Sequence, residues 1–342
     1  MGVAIGDLLE RDEISRSDLK GKIIAFDAYN VIYQFITTVR GRDGKPLTDL
    51  NGNVTSHLSG ILYRTASFVE DGIKPVFVFD GVPPELKAET LDKRREIREA
   101  AHEKWKLAME RGDAADILKY AQAAVKLDPQ IIEESKMLLS MLGIPIVEAP
   151  SEGEAQASYM ADKGDVDFVS SQDYDAFIFG AKVVIRNLTV SGKRKLPGKS
   201  IYVDVLPEKA DLNKNLERLG ITKDQFIDIA LCVGTDFNKG IDRVGAKTAL
   251  KLIKEHGSFE EILKSKGLED QIERYAAAKE LFKNPPTTDD YTIQWSKPDK
   301  EKMIEFLCSK RDFSEERVTS AWQKVNSAFE TKTKQPTLDQ WF

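Results

Sequence analysis

Three apolar runs of strand length, each followed by an aspartate, constrain the fold of this chain more than any other feature. They are 22–26 (KIIAF) before Asp27, 75–79 (PVFVF) before Asp80, and 166–170 (VDFVS) before Asp173 and Asp175. Helical patterns lie between the runs, for example at 57–70 and 131–142. Continuous buried strands that alternate with helices are typical of a parallel α/β sheet. The sequence therefore predicts an α/β fold with a central, mainly parallel, twisted sheet flanked by helices.

The aspartates at the ends of these runs are candidates for one shared site, because ligands of open α/β sheets bind beyond the carboxyl ends of the strands. A single aspartate there often does no more than cap the next helix or turn. Three strands that each end in one favour a functional site. The other candidate acids are Glu152, Glu154 and Asp236. Ser151 and Glu154 also fit the capping box Ser-x-x-Glu, so a helix cap is an alternative role for Glu154.

Clustered carboxylates need a compensating interaction, since like charges about 4 Å apart repel by roughly 4 kcal/mol at an effective dielectric constant of about 20. Raised pKa values, basic partners or divalent cations can supply it. Magnesium prefers oxygen ligands and keeps several water molecules. No serine, cysteine or histidine is arranged as a nucleophile, and the three histidines share no ligand-like spacing. We therefore predict a divalent-metal site built from the seven acids.

Composition indicates a globular chain that works in a reducing compartment. The chain has 342 residues, 41% apolar and 31% charged, enough for one large domain or two ordinary ones. No apolar run approaches the roughly 20 residues of a membrane span, and the N-terminus lacks the pattern of a secretory signal. Two distant cysteines, Cys232 and Cys308, argue against a disulfide framework and are expected to be buried thiols.

The net charge of −6 argues against a nucleic-acid-binding protein when it is taken as an average. The basic residues are clustered, however, and a locally basic surface can bind phosphate on an acidic chain. The clusters are Lys87, Lys93, Arg94, Arg95 and Arg98; Lys193, Arg194, Lys195 and Lys199; and Lys247, Lys251 and Lys254.

The charged, alanine-rich segment 83–129 predicts helices outside the core. Lys87 and Arg94 are seven residues apart and share a face if the helix is continuous. A basic face beside an acidic cluster suits a phosphate that bridges metal and protein; a merely solvated insertion is the alternative. Further along, Gly245 opens a helix that carries Lys247, and free backbone N–H groups at such a turn can bind phosphate. An ordinary amphipathic helix is the alternative there.

The remaining segments yield simpler predictions. The runs 183–185 and 201–205 are expected to pair as strands joined by the basic loop 191–199, and 304–329 is expected to be helical. The chain ends in the pattern Q-x-x-L-x-x-W-F, and exposed leucine, tryptophan and phenylalanine at a polar tail are costly without a partner. The pattern matches the sliding-clamp-binding box formed by Gln335, Leu338, Trp341 and Phe342. A tail that folds back onto its own core is the alternative.

Taken together, these motifs resemble the structure-specific 5′ nucleases, and within them the flap endonuclease family. The resemblance covers essentially the whole chain, and the absence of a basic extension after the clamp box is more similar to archaeal members. The segments that carry it are IIAFDAYNVIYQF, TSHLSGILYRT, GIKPVFVFDGVPPELK, EAPSEGEAQASYM, SSQDYDAFIFG, CVGTDFNKGIDRVGAKTAL and FSEERV.

The resemblance implies a PIN-like 5′ nuclease fold as one domain, 1–330, with a helical arch at 82–130 and a helix–hairpin–helix element at 226–257. A flexible tail, 331–342, would carry the clamp-binding box, 335–342. Lys87 and Arg94 would contact the scissile phosphate. Two magnesium ions, replaceable by manganese, would be held by Asp27, Asp80, Glu152, Glu154, Asp173, Asp175 and Asp236. DNA would be contacted by Gly2, Tyr33, Arg40, Gly240, Gly245, Lys247 and Lys251. A potassium ion would bind carbonyls near Cys232 and Ile241.

The implied activity is cleavage of 5′ flaps at junctions of single-stranded and duplex DNA, with 5′–3′ exonuclease activity, in Okazaki fragment maturation and base excision repair. The implied partners are branched DNA and the sliding clamp (PCNA), with no membrane. The implied state is a cytoplasmic monomer, or a nuclear one in a eukaryote. The alternatives are a bubble-cutting repair nuclease of the same fold and a non-catalytic, clamp-binding DNA adaptor.

Overall fold

The computed structural model describes residues 2–41, 45–123, 125–190, 193–195 and 202–334. In these residues the strands are β1 (Asp12–Glu13), β2 (Ile23–Asp27), β3 (Lys74–Phe79), β4 (Ile146–Glu148), β5 (Phe168–Ser170), β6 (Val183–Arg186), β7 (Lys193–Lys195), β8 (Tyr202–Asp204) and β9 (Glu208–Asp211). None of the helices in the described part of the chain is long and apolar enough to cross a membrane.

The helices are α1 (Ala28–Thr38), α2 (Ser56–Glu70), α3 (Ala88–Arg111), α4 (Ala114–Ala123), α5 (Pro129–Met141), α6 (Gly153–Lys163), α7 (Asp175–Ile178), α8 (Leu212–Leu219), α9 (Lys223–Val233), α10 (Ala246–His256), α11 (Phe259–Ser265), α12 (Ile272–Lys283), α13 (Lys300–Met303) and α14 (Glu315–Lys334). A π-helical segment, Ile304–Ser309, follows α13, and short 3₁₀ turns lie at Gly6–Leu8, Arg16–Leu19, Glu85–Lys87 and Glu269–Gln271.

The central sheet has the strand order β1-β9-β6-β5-β2-β3-β4. The neighbours from β4 to β6 are parallel, whereas β9 is antiparallel to β6 and to β1. The predicted mainly parallel sheet is therefore confirmed. Its register aligns Phe26 with Phe77 on one side and with Ser170 on the other. The carboxyl ends of β2, β3 and β5 consequently lie side by side.

Alternation along the central strands explains the layers on the two faces of the sheet. Phe26 and Phe77 point to one face, where the Phe26 ring stacks on Phe68 of α2 at a centroid distance of 5.2 Å and on Phe77 at 5.3 Å. Val76 and Val78 point to the other face, which is packed against α6, α7 and α9. Both faces are covered by helices, which is why these strands are continuous apolar runs in the sequence.

The charged segment after β3 forms the helices α3 and α4, as predicted for the insertion. Gly112 ends α3 in a left-handed conformation with φ 69°, which glycine adopts without steric cost. Ala101 and Ala108 are the buried residues of α3. Their small side chains are consistent with close packing between the two helices of the insertion.

The predicted pairing of 183–185 with 201–205 is wrong. β6 joins the central sheet between β5 and β9, whereas β8 pairs with β7. β7 lies inside the segment 191–199 that was predicted to be a loop. β9 could not be predicted from the sequence, because the strand EKAD buries only Ala210 and has no apolar run.

Three smaller predictions also need correction. The helix expected at 304–329 is interrupted, because Asp312 adopts φ 58° before α14 begins at Glu315. The tail was expected to be flexible from residue 331, but α14 continues to Lys334, and the Thr331 hydroxyl donates to the Ser327 carbonyl at 2.7 Å. Cys232 is buried as expected, whereas Cys308 is only partly buried.

Candidate active site

The ends of β2 and β3 deliver the first two candidate acids. Asp27 ends β2 and caps α1, because its Oδ1 accepts a hydrogen bond from Asn30 N at 3.1 Å. Asp80 follows β3, and its Oδ1 accepts from Gly153 N at 2.6 Å, so it connects this strand to the start of α6. The two carboxylates are thus fixed by backbone N–H groups at the same edge of the sheet.

The start of α6 positions Glu152 and Glu154. The helix begins at Gly153 with Glu152 as the N-cap residue, and no side chain caps it. Ser151 therefore precedes the cap position, and the capping-box interpretation of Glu154 is wrong. Instead Glu154 Oε1 accepts a hydrogen bond from Ser171 Oγ, 2.5 Å away at the end of β5. Both glutamates consequently belong to the acidic edge of the sheet rather than to a cap.

The turn after β5 carries Asp173 and Asp175. Asp173 Oδ2 accepts from Asn30 Nδ2 at 3.3 Å, and Asp175 Oδ1 accepts from Val3 N at 2.7 Å. Gly2 lies against both acids, since a Cβ atom there would come within 2.5 Å of Asp173 Cβ and 2.8 Å of Asp175 Oδ1. The N-terminal segment therefore packs directly on the site, and only glycine fits at position 2.

The charges of these carboxylates act on one another. Burial, followed by the charge of Asp80, raises the pKa of Asp27 to about 8. Burial and the charge of Glu152 raise the pKa of Asp80 to about 6. Burial raises the pKa of Asp175 to about 7, with further contributions from Asp236 and Asp173.

Glu154 behaves in the same way, because burial and the charges of Asp175, Asp27 and Asp173 raise its pKa well above the usual value. All seven acids take part in this mutual repulsion, either as the group whose pKa rises or as the charge that raises it. They therefore form a single electrostatic cluster, which we call the acidic cluster.

The base of α3 supplies the opposite charge. Lys87 Nζ lies 2.5 Å from Glu152 Oε2 and 3.8 Å from Asp236 Oδ2. Arg94 Nη2 donates to both carboxylate oxygens of Asp236 at 2.7 Å. Burial lowers the pKa of Lys87, but the charges of Glu152 and Asp236 outweigh the effect of burial, so the pKa of the ammonium group is raised. Lys87 and Arg94 therefore face the acidic cluster together, as their spacing predicted.

The donor set suits a hard divalent cation, because it consists of buried and partly buried carboxylates whose charges act on one another. Two basic side chains do not neutralise seven acids, and burial together with the remaining repulsion raises the pKa values of Asp27, Asp80 and Asp175. Among the described residues, no three acidic, histidine or cysteine side chains are already grouped closely enough to hold a metal ion. Hydrogen bonds to backbone N–H groups and the ion pairs with α3 direct several carboxylates elsewhere, so a bound cation requires side-chain rotations.

Tyr33 lies in the middle of α1, and Arg40 lies just beyond its C-terminal end. The Tyr33 side chain is 41% exposed. Arg40 follows the helix, and its Nε donates to the Thr37 carbonyl at 2.9 Å. Burial lowers the pKa of Arg40 while Tyr33 opposes that shift, which indicates that the two side chains are neighbours.

The turn between α9 and α10 contains the other predicted DNA contacts. A Cβ atom on Gly240 would lie 2.2 Å from the Val233 carbonyl oxygen, so the two backbones meet there without room for a side chain. Gly245 has open space around it and directly precedes α10, on which Lys247 and Lys251 are exposed. The same turn brings Ile241 N within 2.8 Å of the Cys232 carbonyl, the pair predicted to hold potassium.

The clamp-binding box, Gln335 to Phe342, lies outside the described residues. Conversely, two functional residues were missed by the sequence reasoning. Asn30 bridges Asp27 and Asp173, and the Ser171 hydroxyl bridges Glu154 and the Asp173 backbone, whose N–H donates to it at 3.1 Å. Their only signal in the sequence is that each is a polar residue within a few positions of a candidate ligand.

Comparisons with known proteins agree with this arrangement. Two family models match, the XPG N-terminal domain at residues 5–101 and the XPG I-region at residues 143–236. Flap endonuclease 1 of Methanosarcina barkeri is 56% identical over 342 residues, which is 100% of both chains. Flap endonuclease 1 of Archaeoglobus fulgidus is 52% identical over 342 residues, again 100% of both chains.

Solved structures show the same fold. The flap endonuclease-1 from Methanococcus jannaschii superposes with a TM-score of 0.77 at 43% identity, covering 97% of this chain and 100% of that one. The catalytic core of Rad2 in complex with DNA substrate gives a TM-score of 0.67 at 22% identity, covering 94% of this chain and 97% of that one. At that identity the second likeness concerns the fold alone.

Proposed function

The chain belongs to the flap endonuclease family, and we propose that it cuts DNA with two magnesium ions held by the acidic cluster. Its identity of 50–56% to full-length archaeal flap endonucleases makes it a flap endonuclease. The metal, the site residues and the clamp partner are the proposed part. The observation that most supports the metal and the site residues is that acids from five separate segments of the chain meet at one edge of the sheet, opposite Lys87 and Arg94.

The proposed ligands are the seven acids of the acidic cluster. Bound magnesium ions supply the charge neutralisation and the activated water that phosphodiester hydrolysis needs at neutral pH. Asp27 and Asp80 are already oriented by backbone N–H groups, and Ser171 orients Glu154. These contacts hold the three side chains at the acidic edge of the sheet, and their carboxylates would rotate there to accept a cation.

Lys87 and Arg94 are proposed to act on the scissile phosphate as electrostatic stabilisers. Both face the cluster from the base of the arch, and both are paired with Asp236 in the absence of DNA. A single Arg94 nitrogen, Nη2, contacts both oxygens of Asp236, and a phosphate can accept charge-assisted hydrogen bonds from the same guanidinium. With Glu152 and Asp236 holding a cation, Lys87 and Arg94 would be free to contact the phosphate.

DNA is proposed to be gripped through its backbone on both sides of this site. The exposed lysines of α10 and the open turn at Gly245 suit phosphates of the duplex. Tyr33 is exposed enough to stack on a base near the cleavage point. Arg40 is a neighbour of Tyr33, and Gly2 lies against Asp173 and Asp175. Binding of this kind weakens steeply as the salt concentration rises.

The remaining parts of the proposal rest on the family resemblance. They are a potassium ion at the turn between α9 and α10, a monomeric state, and a cytoplasmic location, since the relatives come from archaea, which have no nucleus. Okazaki fragment maturation and base excision repair are the pathways that such an activity serves.

Cleavage of labelled DNA tests the catalytic proposal. A double-flap substrate should be cut near the junction with magnesium and left intact with EDTA, and manganese should restore activity. Nicked and bubble substrates in the same assay separate a flap endonuclease from an exonuclease or a bubble-cutting enzyme. Cleavage that persists in EDTA would contradict the proposed metal dependence. Faster cutting of bubbles than of flaps would favour the bubble-cutting alternative.

The clamp proposal has its own test. A variant lacking residues 335–342 should cut flap DNA at the wild-type rate but lose stimulation by the sliding clamp. Replacing Trp341 and Phe342 by alanine should have the same effect with the chain length unchanged. Loss of clamp-independent cleavage in either variant would mean that the tail belongs to the nuclease fold.

A further inference from the structure

The arch base contacts the turn around Asp236 through a third residue, Thr90. Its Oγ1 donates a hydrogen bond to the Asp236 backbone carbonyl at 2.8 Å. Lys87, Thr90 and Arg94 follow the spacing i, i+3, i+7 and so occupy one face of the helical segment. In the first turns of the arch these residues are partly buried while most of their neighbours are exposed.

The turn that receives these contacts is rigidly built. Thr235 N donates to the Asn238 carbonyl at 3.0 Å, and Asn238 Nδ2 donates to the Leu231 carbonyl at 2.9 Å. Lys87 Nζ also lies 5.7 Å from the centre of the Phe237 ring. A contact between Thr90 and this turn therefore fixes the arch base relative to the end of α9.

The Thr90 contact differs in kind from those of Lys87 and Arg94. Lys87 pairs with the carboxylates of Glu152 and Asp236, and Arg94 pairs with that of Asp236. The proposed chemistry requires those carboxylates for a cation and those basic groups for a phosphate. These ion pairs must therefore be exchanged during a catalytic cycle. The bond from the Thr90 hydroxyl to a backbone carbonyl involves neither charge, so cation and phosphate binding leave it in place.

We propose that Thr90 is a positioning residue, whose hydroxyl keeps the arch base docked on the Asp236 turn while Lys87 and Arg94 exchange their carboxylate partners for the scissile phosphate. This inference rests on the proposed function of Lys87 and Arg94. Thr90 does not touch the phosphate itself; it sets the distance between the two basic groups and the acidic cluster.

Two substitutions at the same position test the role of the hydroxyl. Thr90→Val keeps the shape and the β-branch but removes the donor, whereas Thr90→Ser keeps the donor. Thr331→Val is the matched control, because it removes the same kind of hydroxyl-to-carbonyl bond from the exposed helix α14. Single-turnover cleavage of double-flap DNA is measured with magnesium, and the Kd for the same DNA is measured with calcium.

We expect Thr90→Val to slow single-turnover cleavage by about 3- to 10-fold, the range that one neutral hydrogen bond supports. The Kd should change by less than about 2-fold, and Thr90→Ser and Thr331→Val should cleave within about 2-fold of the wild type. In an Arg94→Ala background the effect of Thr90→Val should shrink to less than about 2-fold, because residues that act through one another are not additive.

Equal cleavage by wild type and Thr90→Val, equal loss in the valine and serine variants, or full additivity with Arg94→Ala would each overturn the inference. Amide hydrogen exchange supplies a readout that needs no catalysis. Without metal or DNA, the amides of residues 88–94 should exchange several-fold faster in Thr90→Val than in the wild type or Thr90→Ser. A wild-type protein that fails to cut flaps would contradict the proposed function. The exchange experiment would still test the Thr90 contact: faster exchange in Thr90→Val supports it, and unchanged exchange contradicts it.

Discussion

At the scale of single residues, Asp27 shows that capping and metal binding need not exclude each other. Its Oδ1 caps α1, and its carboxylate is also repelled by Asp80 and Asp173. Capping uses one lone pair of one oxygen, which leaves the rest of the carboxylate for a cation. Glu154 is different, because the helix starts too late for the capping box to form. The sequence could suggest both roles, but only the start of the helix decides between them.

The raised pKa values of the buried acids predict how the stability of the metal-free protein depends on pH. Asp27, Asp175 and Asp80 have pKa values raised from 3.8 to about 8, 7 and 6. Each group binds its proton more tightly in the folded state, so its contribution is fully present below the unfolded pKa and is lost as the pH rises through the folded one. In EDTA the free energy of unfolding should therefore fall between about pH 5.5 and about pH 8.

Asp27→Asn provides the variant for this measurement, because asparagine also caps helices but carries no charge. Urea unfolding at the two pH values should show that the variant loses less stability than the wild type, by on the order of 2 kcal/mol. An exposed acid paired with Lys182, Asp162, can be changed to asparagine as the control. A wild-type protein that becomes more stable over this pH range would show that the carboxylates do not repel one another as described.

At the scale of elements, the arch helix α3 presents one functional face. Arg94 pairs with Asp236 and is 33% exposed, whereas the adjacent Arg95 is 63% exposed and pairs with Asp92 in the same helix. The sequence alone could place Lys87 and Arg94 on one side of a helix through their spacing. It could not show which of the neighbouring arginines faces the acids, because that depends on how the helix docks.

The neighbouring arginines give a matched pair for measuring this face. Arg94→Met should lower the single-turnover rate of flap cleavage about 100-fold or more, because it removes a group aimed at the developing phosphate charge. Arg95→Met removes the same charge one residue away and should change the rate by less than about 3-fold. Both variants should bind flap DNA to a similar extent. Equal losses in the two variants would mean that the arch acts through its total charge rather than through one face.

The elements themselves were predictable to different degrees. β2, β3 and β5 are buried on both faces and therefore stand out as apolar runs. β9 is a short polar strand with a single buried residue, and its pairing with β6 depends on contacts distant in the sequence. The break at Asp312 was equally hidden, since a left-handed residue leaves no trace in the hydrophobic pattern. Long-range pairing and backbone conformation, rather than burial, are what the sequence did not reveal.

At the scale of the whole molecule, the net charge of −6 conceals two separate surfaces. The acidic cluster lies at the edge of the sheet, while basic residues of α3 and α10 lie on elements that flank it. The acids come from positions between 27 and 236, so no local motif contains the site. Their convergence was predictable because parallel strands share an edge. The hydrogen bonds of Asn30 and Ser171 that orient the acids could not be predicted, because they depend on the backbone geometry after β2 and β5.

The central claim is that the acidic cluster performs the cleavage. Asp175→Asn keeps the size of the side chain and an oxygen that can accept from Val3 N, but removes one charge from the cluster. Binding of double-flap DNA in calcium and its cleavage in magnesium should be measured side by side, with Asp162→Asn as the control. We predict a Kd within about 3-fold of the wild type and a cleavage rate reduced by at least about 1,000-fold, the scale of loss when a preorganised electrostatic group is removed. Cleavage by Asp175→Asn at a rate close to that of Asp162→Asn would contradict the assignment of the site.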